Sequence, residues 1–382
     1  MYPDLSYLLH DLLGTQPDNW TSIFKTFGLL LVLAILTAAW LLYLELKRMA
    51  AEGIFQPDKV KVVVGAPASV GELVSNGIFG FLVGFKGWHI ARNFAEFQAD
   101  PSGVLLSLEG SLPVGLLGAA LFAAIRYWER KKSALPKPKT VVQQIYPHDR
   151  IGDITVVAAV TGIVGAKIFD VLENLPAFFA DPIGTFFSGS GLAIYGGLIC
   201  GFLGVTWYLR KHRIPFWPFA DAVAPALMIA YGVGRIGCQL AGDGDWGIVA
   251  GPQPEWWFLP DWTWSFDYPH NVNNQGIPIP ECTFRYCHHL REAVFPTPFY
   301  ETVLSFLIGG LLWALRKRLR PQGMLFFLYL TLNGIERFWI EKIRVNVRYD
   351  FLGLEVTQAE IIATLFFFIG IGGMIYLRRK RS

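Results

Sequence analysis

Charge is scarce in this chain: Asp, Glu, Lys and Arg make up 16% of its 382 residues. A soluble protein of that length carries about a quarter. In place of charge stand 53% hydrophobic residues, with 30 Phe and 13 Trp. They gather into apolar runs such as 29–44 and 361–376. With their flanks these runs are long enough to cross a hydrocarbon core of roughly 30 Å. Counting domains by length therefore has no meaning here, because the bilayer organises the chain. A cleavable signal peptide is also missing from the pattern. Residues 1–22 are mixed polar and acidic, without a basic leading region and a small-residue cleavage site.

The net charge of +3 is modest, and its distribution excludes a nucleic-acid partner. Basic clusters at Lys47-Arg48, 126–132, 210–213, 316–320 and 378–381 each follow an apolar span directly. Such clusters are cytoplasmic anchors. Nine spans are expected, at about 24–46, 71–92, 103–127, 151–173, 190–210, 217–240, 297–316, 322–341 and 358–377. Placing Lys47-Arg48 in the cytoplasm puts every other cluster there as well, with the N-terminus outside (periplasmic) and the C-terminus inside. The expected fold is an all-α polytopic membrane protein.

The longest external segment, 241–296, is rich in Trp, Pro and Asn. Its Trp246, Trp256, Trp257, Trp262 and Trp264 suit the headgroup region, where an indole meets both oil and water. Cys282 and Cys287 face an oxidising compartment in this topology and suit a short disulfide. The adjacent His288 and His289 complete no zinc spacing, so no metal is expected there. An internal repeat also runs through the chain. Val83-Gly84-Phe85-Lys86 returns as Val164-Gly165-Ala166-Lys167, and Ala99-Asp100-Pro101 as Ala180-Asp181-Pro182, both 81 residues later. A span–loop–span unit has been duplicated in tandem.

Charged side chains inside spans cost a few kcal/mol or more, so each needs a partner or a task. Four groups gather near the outer ends of spans. Tyr195, Gly196 and Gly197 close the stretch that begins at Gly191, and paired glycines let a helix or a lipid headgroup approach the backbone. Arg235 lies between Gly234 and Gly237, followed by Cys238, Gln239, Asp243 and Asp245. An arginine at that depth can grip a phosphate with two parallel hydrogen bonds. Thr297 and Pro298 read as N-cap and first residue of a helix, which puts Glu301 and Tyr300 in its first turn. By itself that carboxylate needs no further explanation than the helix dipole. Asn333, Arg337, Glu341 and Arg344 are spaced to share one helix face, with Glu341 bridging the two arginines.

In this order, Gly-Leu-x-x-x-Gly-Gly, Gly-Arg-Ile-Gly, Pro-Thr-x-x-Tyr-Glu and Arg-x-x-x-Glu resemble the prolipoprotein diacylglyceryl transferase family. The resemblance covers the first span and residues 151–377, with 241–296 as a periplasmic insertion and 1–23 as a leading external segment. Residues 71–127 are the extra copy of the duplicated unit. The family moves the diacylglyceryl group of phosphatidylglycerol onto the lipobox cysteine of a prolipoprotein signal peptide, releasing glycerol 1-phosphate. By resemblance the catalytic positions are Arg235, Arg337, Glu341 and Tyr195. Lys167, Gly196, Gly197, Gln239, Asp243, Tyr300, Glu301, Asn333 and Arg344 are then substrate-binding positions. No metal and no organic cofactor is expected.

The chain departs from the family pattern at Tyr195, Cys238 and Asn333, where His, Asn and Tyr are common. A phenol, with a reference pKa of about 10 against about 6.5 for imidazole, is the poorer base near neutral pH. Tyr195 then either positions the headgroup or leaves the thiol to a carboxylate such as Glu341 or Asp243. The alternatives to turnover are a lipid- or lipoprotein-binding homologue and a membrane transporter.

Overall fold

Long stretches of Leu, Ala, Phe and Gly bounded by polar caps become helices, because a helix satisfies every backbone group where water is absent. The computed structural model describes residues 1–99, 101–187, 193–346, 349–351 and 354–380. In chain order the elements are α1 (Leu5–Leu13), α2 (Thr26–Ala51), β1 (Asp58–Val64), α3 (Val70–Arg92), α4 (Phe94–Ala99), α5 (Pro101–Leu106) and α6 (Leu112–Lys132). There follow β2 (Lys139–Ile145), α7 (Ile151–Glu173), α8 (Leu175–Ala180), α9 (Pro182–Phe187), α10 (Ile194–Lys211) and α11 (Phe216–Ala241). The rest are β3 (Ile277–Pro278), β4 (His288–His289), α12 (Thr297–Leu315), α13 (Met324–Lys342), β5 (Tyr349–Phe351), β6 (Leu354–Val356) and α14 (Gln358–Arg379). Helices α2, α7, α11, α12 and α14 are long and apolar enough to cross a membrane. Large apolar side chains such as Leu31, Leu36, Leu307 and Phe368 stand exposed along them. The fold is that of an all-α polytopic membrane protein, with lipid as the solvent for those side chains.

The chain groups into two units, Gln56–His212 and Met1–Phe55 with Arg213–Ser382. In Gln56–His212 the tandem repeat is a structural repeat. Strand, long helix and two six-residue helices recur at an offset of 81 residues, β1-α3-α4-α5 against β2-α7-α8-α9. The strands join the copies. β1 and β2 pair antiparallel, and the middle pair is Lys61 with Val142, which are equivalent residues of the two copies. The ribbon is therefore symmetric about its centre. Within each copy glycines bring two helices together. A Cβ on Gly118 would lie 2.2 Å from the Gly80 carbonyl oxygen in the α3–α6 pair, and one on Gly165 would lie 2.6 Å from that of Gly196 in the α7–α10 pair.

One helix boundary differs from the sequence reading. A span was expected from 103, but the chain breaks after α5 and the long helix starts at Leu112. Lys86 closes α5 by donating to the Val104 carbonyl at 2.9 Å and to Ser107 Oγ at 3.0 Å. Ser111 and Pro113 then open α6, the proline lying where a missing N–H costs nothing. Residues 188–192, including Gly191, lie outside the described residues.

In the other unit α11 is central, packed against α2, α12 and α13, with α14 on α13. Met228, Leu312 and Leu325 form its buried apolar cluster. Asp221 accepts from the Gly323 and Phe326 amides at 2.6 and 2.9 Å, capping the start of α13 from a neighbouring helix. Between α11 and α12 the chain forms a small body of its own around Trp246, Tyr268 and Val294. The Cys282–Cys287 disulfide closes one turn of it. α1 docks there through Tyr7, whose hydroxyl accepts from the Tyr286 amide at 3.1 Å.

Candidate active site

Arg235 lies in the last two turns of α11, Glu301 in the first turn and a half of α12, and Arg337 and Glu341 near the end of α13. Packing of these three helices brings the four side chains together. Glu301 has no exposed surface and stands at the centre. Its carboxylate meets Arg235 Nε at 2.8 Å, Arg337 at 2.9 Å and Arg344 at 3.5 Å. Tyr231, one turn before Arg235, donates to Glu301 at 3.1 Å and accepts from Arg235 Nε at 3.1 Å. The reading of Glu301 as a dipole-favoured carboxylate falls short of this: it collects three guanidiniums. Thr297 is not the N-cap either. Pro296 precedes the helix, and Thr297 lies inside it and donates to the Asp245 carbonyl at 2.6 Å.

Glu341 does not bridge Arg337 and Arg344 as the spacing predicted. It pairs with Arg337 at 3.0 Å and accepts from Asn346. α13 ends at Lys342, so Arg344 is off the helix and the three-residue spacing no longer puts it on that face. A short bridge between Gly247 and Arg344, with the Ile248 amide donating to the Ile343 carbonyl at 2.8 Å, turns Arg344 towards Asp245. Asp245 binds both Arg235 and Arg344. Three arginines thus face Glu301, Glu341 and Asp245, a charge-matched set in a place where unmatched charge is costly.

Asp243 and Asp245 have opposite electrostatics. Burial pushes the Asp243 carboxyl above its ordinary value, and the charge of Asp245 adds to this. Burial pushes Asp245 the same way, but Arg235 and then Arg344 outweigh it and hold its carboxyl below the ordinary value. Asp243 accepts from the Asp245 amide at 3.3 Å, and among the described residues no arginine hydrogen-bonds to it. Cys238, Asp243 and Asp245 have ligand-type atoms within 4.8 Å of one another. The two arginines on Asp245 make this a poor cation site.

Other sequence-selected residues lie elsewhere. Gln239 accepts from the Tyr268 hydroxyl at 2.9 Å, and Tyr300 donates to the Thr263 carbonyl at 2.8 Å, so both hold the α11–α12 loop. Asn333 contacts Met228 Sδ at 3.8 Å rather than the arginines. Lys167, Tyr195, Gly196 and Gly197 belong to the Gln56–His212 unit. Lys167 pairs with Asp170 at 3.2 Å, and Gly196 is a contact point of α10 on α7. Sequence reasoning missed Tyr231 and Glu336 and gave Asp245 no role. Tyr231 carries a signal, its four-residue spacing from Arg235. Glu336 is 4% exposed, and neither carboxyl oxygen has a hydrogen-bond partner among the described residues.

Part-buried guanidiniums gathered where three helices meet, two of them apolar enough to cross a membrane, suit an anionic ligand with a lipid body. The comparisons point the same way. The prolipoprotein diacylglyceryl transferase family matches residues 103–376. A phosphatidylglycerol--prolipoprotein diacylglyceryl transferase of Corynebacterium efficiens is 30% identical over 294 residues, 74% of this chain and 83% of that protein. Proteins of the same name from Corynebacterium glutamicum and Corynebacterium diphtheriae are 33% and 28% identical. The first aligns with 51% of this chain and 59% of its own length, the second with 70% and 87%. Matched along most of its length by the family and by such relatives, the chain belongs to the prolipoprotein diacylglyceryl transferase family.

Proposed function

We propose that this protein transfers the diacylglyceryl group of phosphatidylglycerol to the lipobox cysteine thiol of a prolipoprotein and releases glycerol 1-phosphate. The observation that carries the reading is the convergence of Arg235, Arg337 and Arg344 on buried Glu301 in a member of this family. The thiolate attacks the glycerol carbon that bears the phosphate ester. A C–S bond forms, the C–O bond breaks, and the electron pair leaves on the phosphate oxygen. Arg235 and Arg337 stabilise that developing charge, and preorganised donors of this kind dominate many catalysed reactions. The entering phosphate replaces a carboxylate on one of the arginines, so the matched set becomes its binding site.

The thiol proton goes to Asp243. Burial and the charge of Asp245 raise its carboxyl and outweigh the opposing pull of Arg235, which makes it the stronger base, and among the described residues no arginine hydrogen-bonds to it. Tyr195 takes a positioning part, and Lys167, Gly196 and Gly197 keep the substrate-binding part that the family pattern implies. The nine long helices among the described residues span the inner membrane with the N-terminus outside and the C-terminus inside, and the arginine centre lies near the outer leaflet.

Purified protein in phosphatidylglycerol vesicles, given a lipobox peptide, tests the reading by the appearance of the thioether product. We expect Arg235→Ala to lower turnover by at least about 100-fold, as loss of a charge-stabilising donor does. Tyr195→Phe is expected to keep most of it. Full activity of well-folded Arg235→Ala would remove the assignment.

A further inference from the structure

The loop between α11 and α12 sorts its aromatic residues into two sets. Trp257 and Trp264 are tied inward: the indole N–H of Trp257 donates to Thr263 Oγ1 at 3.1 Å, and that of Trp264 to the Gly251 carbonyl at 2.8 Å. Their rings meet edge-on at 5.1 Å. Trp256 and Phe258 point outward, 69% and 91% exposed, with Leu259 and Trp262 at 40% and 43%. Four large apolar side chains on one turn form a patch of the kind that marks an interaction surface.

The place of the patch indicates what covers it. Trp262 packs on Phe299 with ring centres 4.9 Å apart, and Tyr300 donates to the Thr263 carbonyl. Both partners lie in the first turn of α12, one of the helices apolar enough to cross a membrane. The turn is thereby pinned to the level at which that helix enters the hydrocarbon, the depth that indoles favour. Residues 249–284 contain no Lys or Arg, so attraction to anionic headgroups has no part in it. What the turn offers is apolar area and the indole N–H groups of Trp256 and Trp262.

We infer that the 256–262 turn is an interfacial anchor, with Trp256, Phe258, Leu259 and Trp262 seated in the headgroup–acyl boundary of the leaflet in which α12 begins. The occupant of the patch is a phospholipid surface, and the anchor holds the loop at a fixed depth beside the Arg235–Glu301 centre. The inference rests on α12 crossing the bilayer and not on the transferase chemistry, so its test does not use turnover.

Full-length Phe258→Cys, labelled with an environment-sensitive fluorophore, is reconstituted in phosphatidylcholine vesicles. Gln275→Cys, at an exposed position of the same loop, is the control, and the wild-type chain carried through labelling is the blank for Cys200 and Cys238. Trp256→Cys is a second labelled site should Phe258→Cys fail to fold. The label at 258 is expected to emit blue-shifted, to be quenched by a nitroxide on the upper acyl chain, and to be shielded from aqueous iodide. The label at 275 should behave in the opposite way. Raising salt or adding phosphatidylglycerol should leave both unchanged. Equal access of iodide to 258 and 275 would overturn the inference. So would shielding that appears only at high protein density, which means a second copy, or only on adding a lipobox peptide, which means a peptide-docking face.

Discussion

Glu301 is the residue on which the centre depends. Three guanidiniums reach its carboxylate, and it has no contact with solvent. Replacing it with Gln removes the charge and keeps the shape, leaving Arg235 and Arg337 short of a counter-ion. Breaking a buried pair from one side costs about 3–5 kcal/mol. Glu301→Gln is expected to lower the unfolding temperature in detergent clearly and to abolish lipidation, and an unchanged melting curve would contradict that. The two aspartates give a pH prediction. Asp243 has a raised carboxyl, so a reaction that needs it ionised fails as pH falls through a value above the ordinary aspartate range of about 3.9. Asp243→Asn should remove that acid limb together with most of the activity, and a pH profile on both proteins reads it. Asp245 is lowered, so its contribution to stability is complete above the ordinary aspartate value and disappears only as pH falls below it. Acid unfolding of Asp245→Asn should therefore lack that low-pH component.

At the scale of elements, the glycines decide how closely helices pack. A Cβ on Gly118 would meet the Gly80 carbonyl, a backbone atom that no rotamer change can move away, whereas one on Gly87 would meet nothing within 4 Å. Gly118→Ala should cost about 1–3 kcal/mol by forcing α3 and α6 apart, while Gly87→Ala should be neutral or slightly stabilising. Thermal unfolding of the two variants separates them. Helix ends also show where local reading fails. α7 runs over 151–173 as expected, because apolar length and flanking caps are local properties. α6 starts nine residues later than expected because Lys86, from another helix, ends α5 through a distant hydrogen bond. Arg344 escapes the face of Arg337 and Glu341 for a similar reason. The short bridge of Gly247 to Arg344 competes with continuation of α13, and no periodicity in α13 announces it.

For the molecule as a whole, the proposed topology follows from five basic clusters that agree on one side of the membrane. A reporter active only in the cytoplasm, fused after Ser382, should be active, and one inserted at Gln275 should be silent. The opposite result at either site would overturn the assignment. Much of the architecture was already visible along the chain: the apolar runs, the loop rich in Trp, and the 81-residue repeat in its polar positions. The repeat proved longer in space than in sequence, because β1 and β2 share a backbone conformation and a mutual pairing while keeping few common residues. What the sequence by itself determined were quantities that accumulate locally, such as hydropathy over a bilayer's thickness, charge bias between loops, and spacing along one helix. These were enough to indicate a membrane protein and a family resemblance, and to single out Arg235, Arg337 and Glu341 as candidates. Only the tertiary structure decided which carboxylate answers which arginine. Asp245, Glu301 and Arg344 come from separate segments, and Coulomb energy depends on distances that the packing of α11, α12 and α13 creates.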